Sequence, residues 1–187
     1  MGTEIAKYLY ELGQLKRVKR SGWWIAGIDN PESVAEHSFR TAIIAYILAQ
    51  LEGVDPEKVA IMALFHDVAE ARISDLHRIA QKYVDRNDVD RKVIEEQLER
   101  LPDKVAGHLR SLFYEIEGAS SNEAKVAHDA DILECLVQAR EYQALGYGDV
   151  ADWISNCQAA LSTESAKSIA DECLKVRPRD WWQGLKA

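Results

Sequence analysis

Two stretches of this chain constrain its fold more than any others. Residues 39–50 and 59–71 are apolar around most of the circumference a helix would present. Helices of that kind belong at the centre of a bundle. Their ends, however, carry His37 and the pair His66-Asp67. Imidazole and carboxylate groups beside such helices are costly to bury unless they are paired or bound to a metal. These are therefore the first residues that need an explanation.

The rest of the chain also reads as helix. Asn30-Pro31-Glu32 and Asp55-Pro56-Glu57 are start signals: a capping residue, proline at the first helical position, then an acid. Gly53 and Gly146 suit helix ends. Ser120 with Glu123 has the form of a capping box, opening a long helix that runs to about Leu145. Further helices are expected at about 3–18, 88–100, 102–116, 149–161 and 163–176, and a shorter one at 74–85. No stretch alternates long enough to argue for a sheet. The expectation is one all-α domain over residues 1–187, with a motif-bearing core at about 12–145 and C-terminal helices and tail at 149–187.

Composition narrows the function. The 187 residues carry a net charge of −8, which disfavours a nucleic-acid polymer as partner but not a small anion in a local basic pocket. Cys135, Cys157 and Cys173 form no C-x-x-C pair and are odd in number, so a disulfide scaffold or zinc ribbon is not expected and a reducing, cytoplasmic setting is. The start of the chain shows no signal-peptide pattern, and the longest apolar run, Ala42–Ala49, is too short to span a bilayer.

On a helix, His66, Asp67 and Glu70 point toward one region. Alone, a His-Asp pair is more often a hydrogen-bonded helix end than a metal site. The context changes that reading. Glu36-His37 lies upstream and His128-Asp129-Ala-Asp131 downstream, so candidate ligands stand on three separate helices.

The order H…HD…D, with Glu70 three residues after Asp67, resembles the HD-domain phosphohydrolases. Within them it is most similar to the 5′-deoxynucleotidase branch. The residues that carry the resemblance are Leu15 to Trp23, Asn30 to Ser38, Leu64 to Glu70, Ser74-Asp75-Leu76, and Ala130-Asp131 through Gln138 to Tyr142. Ser74-Asp75 stands where such proteins often have Gly-Asp, and Ile132 where lysine often follows the last ligand.

The resemblance implies an all-α HD-domain bundle with one divalent metal ion (Mn, Co, Fe, Ni or Zn) held by His37, His66, Asp67 and Asp131. It implies a metal-dependent phosphohydrolase acting on deoxyribonucleoside 5′-monophosphates; another phosphate ester, or a non-catalytic nucleotide-binding module, is the alternative. Glu70 and Asp75 would share the base and acid roles, which spacing does not assign. Arg20 would fork onto the phosphate, with Lys19 nearby and Trp23 walling the sugar or base pocket. The alternatives are a solvated basic segment, a simply buried tryptophan, and Asp75 as a helix cap. Glu36 would orient a ligand or form a surface salt bridge, and Asp129 would be structural or support the site. Homodimers or larger homo-oligomers are also implied. Trp181 and Trp182 would dock on the body or on a partner.

Overall fold

A computed structural model describes residues 1–119 and 121–185. The helices in chain order are α1 (Gly2–Leu12), α2 (Gly22–Ile25), α3 (Val34–Glu52), α4 (Pro56–Phe65), α5 (Glu70–Ile73), α6 (Arg86–Leu98), α7 (Asp103–Glu117), α8 (Asn122–Ala144), α9 (Ala151–Ala160) and α10 (Glu164–Lys175). No strand occurs among the described residues, only an isolated antiparallel bridge between Lys19 and Ser33.

At the centre α3, α4 and α8 pack together, with α9 and α10 laid against α8. Ala45, Leu48, Val59, Met62, Leu133 and Leu136 fill the space between them and are almost wholly buried. Each large side chain of this kind stabilises by about 1.5–3 kcal/mol relative to exposure. Beneath the N-terminal loop a separate cluster forms around Trp23, Ile28, Tyr142 and Ile154.

Several helix boundaries differ from expectation. α3 is capped by Ser33 rather than Asn30. Ser33 and Glu36 form a capping box that satisfies two backbone donors, while residues 32–34 are engaged with 18–20 through Arg20 N–H to Glu32 O and Val34 N–H to Val18 O. Glu36 is thus a capping residue, not an orienter of the metal ligands. α8 is capped by Ser121, whose side chain accepts from Ala124 N–H at 3.0 Å; Ser120 lies outside the described residues.

The expected helix over 59–71 breaks after Phe65. From there the backbone bonds run to the third residue back, as in Glu70 N–H to Asp67 O and Arg72 N–H to Ala69 O. That tighter winding brings side chains three residues apart into register. It sets Asp67 and Glu70 on one side of the turn.

The expected 74–85 helix is reduced to a 3₁₀ turn at Ala80–Lys82, because Ser74 has φ 62 and ψ 166 and Asp75 is tied to Ser21. The tail carries Trp181 and Trp182, both exposed, Trp182 less so and beside Arg140 and Arg177.

One expectation about α3 also needs correction. Its inner half, with Val34, Ala45, Leu48 and Ala49, is buried as anticipated, but its outer half is at the surface. Among the described residues no helix is long and apolar enough to cross a membrane.

Candidate metal centre

Three elements deliver four side chains to one point. His37 comes from the first turns of α3, His66 from the residue that ends α4, Asp67 from the tight turn after it, and Asp131 from the middle of α8. His37, His66 and Asp67 each offer a ligand atom within 4.8 Å of the others. Asp131 Oδ1 closes the set at 3.1 Å from His37 Nε2 and 3.8 Å from His66 Nε2. Asp67 Oδ2 lies 3.0 Å from His66 Nε2 and 3.8 Å from His37 Nε2.

Both imidazoles are oriented by their far nitrogen. His37 Nδ1 bonds Glu134 Oε2 at 2.6 Å, and His66 Nδ1 bonds the carbonyl of Ala63 at 2.6 Å. Each bond turns Nε2 into the cluster, as a metal ligand requires. His66 Nε2 is buried and has no hydrogen-bond partner; its close approach to Asp67 lacks hydrogen-bond geometry. A buried, unbonded imidazole nitrogen facing carboxylate oxygens and a second imidazole is what a divalent cation would satisfy. The donor set therefore fits the metal.

Electrostatics point the same way. Burial opposes charge on every member, yet mutual attraction prevails. Asp67 and Asp131 are held below the ordinary carboxylate range beside the imidazoles, and His37 and His66 are raised by the carboxylates.

Around this point stand the groups expected to do chemistry. Glu70 is 1% exposed. Its Oε1 accepts from Arg86 Nη2 at 2.9 Å, and its Oε2 is buried without a partner. Burial, with the charges of Asp67 and Asp75, pushes its carboxyl well above the usual range; Arg20 and Arg86 oppose this only in part. Arg20 lies across the cluster, its Nη1 3.4 Å from Asp67 Oδ2 and 3.6 Å from Asp75 Oδ1, and its Nη2 3.9 Å from Asp131 Oδ1. Asp75 is not a helix cap. Its carboxylate accepts the Ser21 N–H, and its carbonyl accepts the Ser21 hydroxyl at 2.9 Å.

The HD-domain family model matches residues 12–172. The chain belongs to the HD-domain family. This HD domain is 31% identical to the mouse (Mus musculus) protein 5′-deoxynucleotidase HDDC2, with 77% of this chain and 72% of the mouse protein aligned. It is 34% identical to the Danio rerio protein of the same name, over 74% of this chain and 70% of the other. Among solved structures, a conserved hypothetical protein from Pyrococcus furiosus superposes with a TM-score of 0.76 at 30% identity, covering 91% of this chain and 99% of that one.

Two expected substrate contacts of the HD domain lie elsewhere. Trp23 is 3% exposed and does not wall a pocket. Its ring stacks on Trp153 and meets Tyr142 edge-on, and its Nε1–H donates to Glu32 at 3.0 Å, so its apolar body and polar tip are both satisfied in the core. Lys19 donates to the carbonyl of Pro31 at 2.7 Å, which pins the loop instead of reaching the cluster. Asp129 is structural: it accepts from the backbone and hydroxyl groups of Ser162 and Thr163 ahead of α10.

Two residues escaped the sequence reading. Glu134 holds His37 and is itself held by Arg40, at 2.9 Å from Nε to Oε1. Its position three residues after Asp131 on a helix was an available signal. Arg86, at the start of α6, bridges Asp67 and Glu70. Nothing in the local sequence marked it, because the pairing is made only by tertiary packing.

Proposed function

We propose that this HD domain is a metal-dependent 5′-deoxynucleotidase, releasing phosphate from deoxyribonucleoside 5′-monophosphates. The observation that carries the reading is the convergence of His37, the unbonded His66 Nε2, Asp67 and Asp131 beneath the Arg20 guanidinium. Relatives named 5′-deoxynucleotidase, at 31–34% identity, support the substrate class.

These four side chains would hold one divalent ion per chain, from the group Mn, Co, Fe, Ni and Zn. When bound, it supplies a Lewis acid for the phosphoryl oxygen and lowers the pKa of the attacking water. Arg20 would present its two amino groups to the phosphate oxygens. Glu70, with one carboxyl oxygen not engaged by Arg86, and Asp75, aimed by Ser21, share the two proton transfers: one takes the attacking water's proton and the other gives its own to the leaving 5′-oxygen. The same reading places the protein in the cytoplasm as a homodimer or larger homo-oligomer, with no nucleic-acid polymer or membrane as partner.

The test is phosphate release from 5′-dNMPs, 5′-NMPs, 3′-dNMPs and dNTPs by chelator-stripped protein resupplied with Mn, Co, Ni or Zn. Release from 5′-dNMPs only after metal return is the expected result. Metal-dependent release from another member of the panel would keep the site and replace the substrate. Silence across the panel with metal bound would overturn the reading.

A further inference from the structure

Twelve arginines are spread along this acidic chain. Seven of them pair with carboxylates among the described residues. Of the five that do not, Arg140, Arg177 and Arg179 line one cavity, between the end of α8 and the tail that follows α10. The cavity measures about 450 Å³ and opens to solvent, and Trp182 stands in its wall. That volume suits a small molecule.

The walls are held by their own bonds. Arg140 Nε and Nη2 each donate at 3.3 Å to a carbonyl at the end of α10, of Cys173 and Leu174, and its Nη1 donates to Gln143. These partners are neutral, so the guanidinium is fixed in direction and keeps its charge. Asp180 is the one carboxylate of the lining among the described residues. It accepts from the Arg177 N–H and the Gln183 amide, both at 3.1 Å, and so closes the turn that carries Trp182. Three cations therefore face one anion on a chain of net charge −8. A hollow lined by one sign of charge concentrates the opposite sign, and guanidinium groups crowded there repel one another until an anion arrives.

We propose that this cavity is a second nucleotide site, separate from the metal centre, in which the arginines take the phosphates of a nucleoside triphosphate and Trp182 meets its base. Arginine offers phosphate oxygens a planar pair of donors. Inorganic phosphate would need the cations alone; an indole beside them selects a phosphate ester that carries a flat ring. Three guanidinium groups match the several charges of a triphosphate better than those of a monophosphate. The two sites do not overlap. Arg140 lies nine residues beyond Asp131 on α8, which is about 13 Å along the axis and half a turn round the helix. The proposal does not depend on the activity at the metal centre.

Calorimetry on the full chain, stripped of metal by chelator, tests this with dATP as the probe. The wild type is expected to bind one dATP per chain with a Kd of roughly 1–100 µM, weakening as salt is raised. Arg177→Ala combined with Arg179→Ala should weaken binding at least ~10-fold, because charged hydrogen bonds to phosphate are lost. Both side chains are exposed, so circular dichroism should not change. Trp182→Ala should weaken dATP by about 5-fold or more, the lower end of what a base–aromatic stack contributes, and leave inorganic tripolyphosphate as it was. Arg20→Ala, at the metal centre, should leave dATP binding intact. No binding by the wild type at about 1 mM dATP would overturn the site, as would full affinity in the double variant. Binding lost in Arg20→Ala would move the ligand to the metal centre and overturn it equally. Tripolyphosphate bound as tightly as dATP, with Trp182→Ala silent, would overturn the nucleotide as its ligand.

Discussion

α3 and α6 bury comparable apolar faces but treat solvent in opposite ways. On α6, Val93, Ile94 and Leu98 face inward while Asn87, Asp88, Arg91, Lys92 and Glu96 are exposed. On α3 the exposed positions past the first turn are almost all large and apolar, and the inward side includes His37, Ser38 and Thr41. α6 follows the ordinary division of an amphipathic helix. α3 departs from it at both faces, and both departures have physical reasons to be functional. Buried polar groups are costly unless they bind or bond something, and exposed apolar groups are unprotected unless something covers them. Two paired charges break the pattern on α6: Arg86, at its first residue, turns inward to Asp67 and Glu70, and Asp90 accepts from it.

The contrast can be broken most forcefully on the inner face of α3. His37→Ala removes a ligand and leaves Glu134 buried without its imidazole partner. Metal content by atomic emission and phosphate release should both fall to background; turnover by a metal-free variant would end the assignment. Glu70→Gln should come next, with metal retained and kcat lowered by roughly 10²–10⁴-fold, the range for a positioned acid or base. An unchanged kcat would take Glu70 out of the mechanism.

Smaller effects belong to the link into α6 and to its outer face. Ser74 holds φ 62 and ψ 166, a region essentially reserved for glycine, at a strain cost on the order of 1–3 kcal/mol. Ser74→Gly should therefore raise stability in urea titration by about 1 kcal/mol, after the greater chain entropy of glycine is offset. Lys92→Ala, on the solvated side of α6, should change stability by no more than about 0.5 kcal/mol. A larger loss would mean that this face is covered, and the contrast with α3 would fail.

The sequence by itself determined the class of fold and where most helices begin and end. Asp55-Pro56 and Gly53 act locally, through caps and through φ, so they were legible without knowing what packs on them. It also supplied the four candidate ligands and Glu70, because ligand chemistry restricts residue type and their order resembles a known pattern. Tertiary structure decided the rest. It put Trp23 into the core and gave Lys19 to Pro31, since a side chain's direction depends on partners distant in sequence. It recruited Glu134 to His37 and Arg86 to Glu70 across separations of 97 and 16 residues. It also decided which half of α3 is covered. An all-round apolar helix records only that burial is favourable on every side, and packing within one chain could supply it on one side alone.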